Sequence, residues 1–373
     1  GFGNSTPAAA NGPVVRKLRA AGAIIVGRTN MPEFGQFPVT ESLRFGATRN
    51  PWDQTRSPGG SSGGSAVAVA TGMAAVGMSS DGGGSIRIPA SACGLIGLKP
   101  TRGRVSSAPP PQRWHGMTGF GPITRTVADA ALVLDLISGN EPTDQWRLEP
   151  ATGSFAAGLE NQPGQLRILG ASNPVTPGIR TDPLIQSAIT DLLDRMVGLG
   201  YEVLTGSVRW PSPVTSFLTL YLSGIRTAAG CMEHPERLEP RTRAAVASAR
   251  WISPRAVERA LRTGRRITGA LEKLFEQVDV VVLPTLTMLP WAFDEFEGLS
   301  WVRSLWRSTP MVGQTAIFNV SGHPALSVPA GISPQGLPIG AQLVAGLGRE
   351  DLLLSLAAEL ERQQPWPVWD GLG

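Results

Sequence analysis

Two serine-bearing glycine runs carry the chemistry that this sequence offers. The first is SPGGSSGGS, from Ser57 to Ser65; the second is SSDGGGSIRIPAS, from Ser79 to Ser91. A run such as Gly82-Gly83-Gly84-Ser85 exposes successive backbone N–H groups on a bare loop, which is a design for holding negative charge. Phosphate fits poorly. A mononucleotide loop needs Gly-Lys-Ser/Thr after the glycines, and this run continues Ser85-Ile86-Arg87. A dinucleotide fingerprint needs glycines spread along a strand-to-helix turn, and DGGGS is too compact. The better reading is an oxyanion hole made by the N–H groups of Gly82, Gly83, Gly84 and Ser85, with Ser85 as a nucleophile at the end of the loop. Ser61 lies 24 positions before Ser85. A helix out and a strand back across that distance would return both serines to one sheet edge, which makes Ser61 a proton-relay partner.

A nucleophilic serine needs a base, and histidine is the usual one. His115 sits in a Pro-rich loop, His234 in a turn, and His323 in NVSGHPALSVP ahead of a strand; none has an acid at suggestive spacing. Packing or surface roles are the expectation for all three. The same scarcity argues against a metal site, since there is no H-E-x-x-H and no cysteine pair. No cofactor is expected. Trp291, Trp301, Trp306 and Phe318 are candidates for an apolar acyl pocket, although core packing explains aromatics equally well.

The elements that must position these loops alternate between helix and strand. PVVRKLRAAG reads as a helix with proline at its start and glycine at its stop, and AIIVGRT as a short buried strand. SAVAVATGM reads as a helix of small residues, AAVGMSS as the strand entering the second glycine run, and GLIGLKPT as another strand. Further on, LRILGA, YEVL, VDVVVLPT, ALSVPAG and PIGAQLVA read as strands. PLIQSAITDLLDRMVGLG, residues 257–277 and EDLLLSLAAELERQQ read as helices. Residues 106–114 and 139–164 read as loops or insertions. The alternation argues an α/β sheet with helices on both faces and no clean domain boundary.

Composition narrows the class. The 373 residues are 42% hydrophobic and 17% charged, with a formal net charge of +4. The densest basic stretch, RAVERALRTGRR, is interrupted by acid and has helical period, so a solvated helix face is preferred to a nucleic-acid surface. Cys93 and Cys231 are isolated thiols, which suits a reduced, cytoplasmic setting. No apolar run is long enough to span a bilayer.

The stretch GGSSGGSAVAVATGMAAVGMSSDGGGSIRIPASACGLIGLKPTRGR resembles the amidase signature family. The flanking AAGAIIVGRTNMPEF, GPITRTVADAALVLD and FNVSGHPALSVPAG…GLPIGAQLVA are similar in style, so the resemblance covers most of the chain. It implies a single α/β domain over residues 1–373, with a mixed sheet between helices and a Ser–cis-Ser–Lys triad that hydrolyses linear amides. Carried over by motif, Ser85 forms an acyl ester, and Ser61, preceded by a cis peptide, relays the proton. Gly82, Gly83, Gly84 and Ser85 form the oxyanion hole, Ser62 supports the loop, and Asp81 and Arg87 brace it. A core ion pair is the other reading for those last two.

The family's triad lysine lies in a G-x-P-x-x-x-K-D stretch that this sequence lacks. Lys17 and Lys99 stand in unrelated contexts. The expectation is an upstream segment carrying the lysine, beyond these residues. Small amides are the expected partners, with no nucleic acid and no membrane, and with room for a homodimer. Two other functions remain: a glutaminase subunit of a tRNA-dependent amidotransferase, and a non-catalytic protein on the same fold.

Overall fold

The structure, a computed structural model, describes residues 10–109 and 113–371. Its centre is the run Val280-Val281-Val282-Leu283. All four side chains are buried and they alternate between two hydrophobic cores. β-Branched residues at period two, closed on both faces, make a central strand. Burying one such side chain contributes about 1.5–3 kcal/mol.

The helices in chain order are α1 (Pro13–Ala20), α2 (Gly63–Ala70), α3 (Arg87–Ala92), α4 (Val127–Ile137), α5 (Phe155–Gly158), α6 (Pro183–Gly198), α7 (Val214–Gly230), α8 (Pro240–Ala249), α9 (Pro254–Phe275), α10 (Trp301–Val312), α11 (Ala316–Ser321) and α12 (Glu350–Gln363). The strands are β1 (Glu41–Ser42), β2 (Gly46–Ala47), β3 (Val76–Asp81), β4 (Ile96–Lys99), β5 (Gly119–Thr124), β6 (Arg167–Ala171), β7 (Glu202–Gly206), β8 (Val280–Pro284), β9 (Ala325–Ile332) and β10 (Pro338–Ala345). Strands β1 and β2 form a small ribbon. The other eight form one sheet in the order β3-β5-β4-β9-β10-β8-β6-β7.

The sheet is mixed. Strands β3 to β8 in that order pair antiparallel, and β8-β6-β7 pair parallel. One face packs against α4, α6 and α12 through residues such as Leu134, Leu192 and Leu356. The other packs against α7, α9 and α11, with α3 over β4, β9 and β10 and α2 over β3 and β5. The expected α/β fold with a mixed sheet between helices is what the chain forms.

Three departures from the sequence reading have physical causes. AIIVGRT belongs to no sheet, and Ile24 and Val26 are 87% and 76% exposed. A strand needs a ladder partner, and among the described residues none lies beside it. Strand β5, GFGPIT, carries two glycines and a proline, which hides a central strand from propensity. Residues 139–164 are not wholly loop, because Ser154 caps the short α5 by accepting from the Ala157 N–H. Of the loop expected over 106–114, residues 110–112 lie outside the described residues.

Candidate active site

Strand β3 delivers Asp81 to the sheet edge, and the glycine run follows at once. Asp81 organises it. Its Oδ1 accepts the Gly84 N–H at 2.7 Å, and its Oδ2 accepts the Ile86 N–H at 3.2 Å. The Arg87 guanidinium grips the same carboxylate at 2.9 Å through both Nε and an NH2 nitrogen. Asn319 of α11 donates to it at 2.8 Å. Burial alone would raise this carboxyl; the Arg87 charge and these hydrogen bonds outweigh burial and hold it well below the usual carboxylate range. Arg87, itself fully buried, also reaches the Thr315 carbonyl at 3.0 Å and the Gln342 amide oxygen at 2.5 Å. The brace and the core ion pair are therefore one structure.

This brace divides the glycine run. The Gly84 N–H is committed to Asp81, whereas the N–H groups of Gly82, Gly83 and Ser85 have no acceptor among the described residues. Gly84 also sits at φ 130°, and a Cβ there would stand 2.4 Å from the Thr315 hydroxyl, so only glycine fits. Above the run, aromatic rings close in. A Cβ on Gly82 would meet the Trp114 indole at 2.5 Å, and one on Gly83 would meet the Phe217 ring at 2.9 Å. Trp114 stands edge-on to Tyr221, with centroids 4.9 Å apart, and Phe217 stacks on the same ring.

The first serine run is held from the other side. The peptide between Gly60 and Ser61 is cis. Thr40 clamps the turn. Its hydroxyl donates to the Gly59 carbonyl at 2.9 Å, lies 3.4 Å from the Ser61 carbonyl, and accepts the Gly63 N–H at 3.0 Å. Ser61 is 2% exposed, and its Oγ lies under Gly35, where a Cβ would come within 3.0 Å of it. Ser62 opens α2 through its backbone carbonyl, which accepts the Ala66 N–H; its hydroxyl caps nothing.

Ser61, Ser85, Ser80 and Gly82 line one cavity, walled by Phe34 and Trp114. The two serines picked out by sequence thus come together. Neither Oγ is engaged with another side chain among the described residues, so both are available to a substrate. The aromatic candidates do not come with them. Trp291, Trp301 and Phe318 are buried in the core, Trp291 against Phe296 and Phe318 against Trp210. Trp306 is 75% exposed on α10. The rings that do wall the cavity, Phe34 and Trp114, both adopt positive φ, a backbone feature invisible to side-chain patterning. Thr40, Thr315, Asn319 and Gln342 also escape a reading of the sequence. Only the resemblance of FNVSGHP and PIGAQL to family segments points near the last two.

No lysine or histidine among the described residues lines this cavity. Lys17 ties α1 to the end of α4 through the Ile137 and Ser138 carbonyls. Lys99 is buried against the Pro100 carbonyl at 2.8 Å. Lys273 is exposed near the end of α9. His115 bonds the Ser223 hydroxyl at 3.0 Å. His323 is held between Ser321 at 2.9 Å and Glu272 at 2.6 Å, and burial lowers its pKa. His234 pairs with Glu236 on the surface.

The family model described as Amidase matches residues 3–354. The chain belongs to the amidase family. It is 40% identical over 367 residues to the protein named "Putative amidase AmiB2" of Mycobacterium tuberculosis, a match spanning 98% of this chain and 78% of that one. It is 37% identical over 378 residues to the 6-aminohexanoate-cyclic-dimer hydrolase of Paenarthrobacter ureafaciens, spanning 94% and 76%. The solved 6-aminohexanoate cyclic dimer hydrolase in complex with substrate superposes with a TM-score of 0.90, covering 95% of this chain and 78% of that one at 36% identity. A glutamyl-tRNA(Gln) amidotransferase subunit from Thermotoga maritima superposes at 0.80 with 28% identity, covering 97% and 79%. This amidase is thus an enzyme of amide hydrolysis, acting on small amides. Among its described residues no helix is long and apolar enough to cross a membrane.

Proposed function

We propose that this amidase cleaves carboxylic amides through a serine acyl-enzyme at the Ser61–Ser85 cavity. One observation carries the reading: two serines from separate glycine runs line one cavity together with Gly82, and the N–H groups of Gly82, Ser85 and the intervening Gly83 have no acceptor among the described residues. In this mechanism Ser85 Oγ attacks the amide carbon. The carbonyl oxygen becomes an oxyanion held by the N–H groups of Gly82, Gly83 and Ser85, with Gly84 a support for the loop. Losing one such donor costs on the order of 10²–10³ in rate. Ser61 takes the Ser85 proton and returns one to the leaving nitrogen, which departs as ammonia or amine. Water then attacks the Ser85 ester, releases carboxylate and restores the hydroxyl.

The base that Ser61 serves is, in this proposal, an amine supplied from outside the 373 residues, since His115 and His323 are engaged elsewhere. Linear amides are the proposed substrates, and the cytoplasm is the proposed setting, consistent with the two free thiols Cys93 and Cys231. The amidotransferase reading keeps a place because the fold superposes on one component of such an enzyme; it predicts glutamine hydrolysis that depends on partner proteins. The deciding experiment is a screen of aliphatic, aromatic and peptide amides and glutamine, with carboxylate and ammonia or amine quantified in equal amounts. Stand-alone turnover of simple amides supports the amidase reading, and activity confined to glutamine with a partner overturns it.

A further inference from the structure

The cavity that the two serines share is nearly shut. It encloses about 20 Å³, room for about one water molecule. An amide group, with its carbon, oxygen, nitrogen and substituents, needs more. Ser80 lies on β3 and Thr118 adjoins β5, so the sheet fixes that part of the wall. Trp114 belongs instead to a short turn, Arg113–Gly116, outside the sheet. Its indole rests on two glycines from separate elements. A Cβ on Gly82 would stand 2.5 Å from the six-membered ring. A Cβ on Gly224 would stand 2.4 Å from the five-membered ring and 2.8 Å from the Trp114 Cα. Gly224 lies in the middle of α7, where glycine weakens a helix. Its use there makes room for the indole.

The turn that carries the indole is strained. Trp114 and His115 take left-handed backbone angles in succession, with φ 51° and 54°. Such angles are unfavourable for bulky residues and persist only where the surroundings enforce them. Helix α7 supplies the enforcement. The His115 Nε2 and Ser223 hydroxyl lie 3.0 Å apart, Tyr221 meets the indole edge-on, and Gly224 seats it. Trp114 itself is only half-buried. Leaving the seat costs packing and relieves backbone strain, which brings two arrangements close in energy. We propose that Trp114 is a gate: amides reach Ser61 and Ser85 only when its indole leaves the Gly82–Gly224 seat. The gate rests on the reading of this cavity as the amide site.

The test is fluorine NMR of the full chain labelled with fluorotryptophan, in a Ser85→Ala background that blocks the proposed turnover. Loss of one resonance in Trp114→Phe identifies Trp114. Propionamide and benzamide are the probes, with affinities from the same titrations. Each amide should move the Trp114 resonance saturably. Gly224→Ala, whose methyl group collides with the seated indole, should move it in the same direction without ligand. The same variant should tighten both amides about tenfold or more, the gain from making a minor open state the main one. Ser223→Ala removes the His115 contact and keeps the seat; it should act in the same direction more weakly, and it serves if Gly224→Ala does not fold. No saturable binding of either amide, a Trp114 resonance that stays put as amide binds, or affinity unmoved by both variants overturns the proposal. So does a gain confined to benzamide, which would make Trp114 a fixed wall that sorts by size. The acyl-enzyme reading fails separately, if amide is consumed in the Ser85→Ala background, and the resonance and affinity comparisons stand either way.

Discussion

At the scale of single residues, the two serines and the Asp81–Arg87 pair were legible, and their partners were not. Glycine runs announce themselves in a sequence; Thr40, Asn319 and Gln342 look like any buried polar residue until the fold brings them in. Under the proposed relay, Ser61→Ala should slow acylation by about 10²–10⁴-fold, the range of a lost acid–base relay. Ser62→Ala should change it far less, because Ser62 acts through its backbone. Stopped-flow burst amplitudes with an activated amide measure both, and a worse defect in Ser62→Ala would reverse the assignment. Asp81→Ala strands a fully buried guanidinium. It should cost about 3–5 kcal/mol of stability, read from urea denaturation; a loss below about 1 kcal/mol would mean that Arg87 finds another partner.

At the scale of elements, periodicity served where packing follows it. The run VVVLP is buried on both faces and reads as a strand from its side chains alone. AIIVGRT has a similar apolar composition but no strand paired with it among the described residues, so it stays out of the sheet. Substitution should separate the two. Val282→Ala removes fully buried methyl groups and should cost about 1–3 kcal/mol by chemical denaturation. Ile24→Ser at an 87% exposed position should stay within about 0.5 kcal/mol. Comparable losses would show that the Ile24 segment is packed in solution. Helices α7 and α8 open without a side-chain cap, and α10, although Ser300 caps it, carries Pro310 within its length, a residue that reads as a helix stop; all three escaped the sequence reading.

At the scale of the whole molecule, burial of Lys99 writes a pH signature into stability. Its folded pKa is about 7 and its ordinary value 10.5, so between these values the unfolded chain binds the extra proton. Stability from this group therefore rises as pH climbs from about 7 towards 10. The stability of the wild type minus that of Lys99→Met should increase over this window in urea titrations; a flat difference would contradict the burial of a neutral amine. The architecture was legible because strand–helix alternation and the long family-like stretch agreed, while the base was legible only as a motif not found. The central claim, that the sheet gathers two distant serine runs into one site where Ser85 attacks, has a direct test. The protein is incubated with a fluorophosphonate at pH 9, with and without added methylamine as a surrogate base, and the adduct is mapped by peptide mass spectrometry. The account predicts one adduct, on Ser85, formed faster with amine and abolished in Ser85→Ala. An adduct on a different serine, or labelling that survives Ser85→Ala, would contradict it.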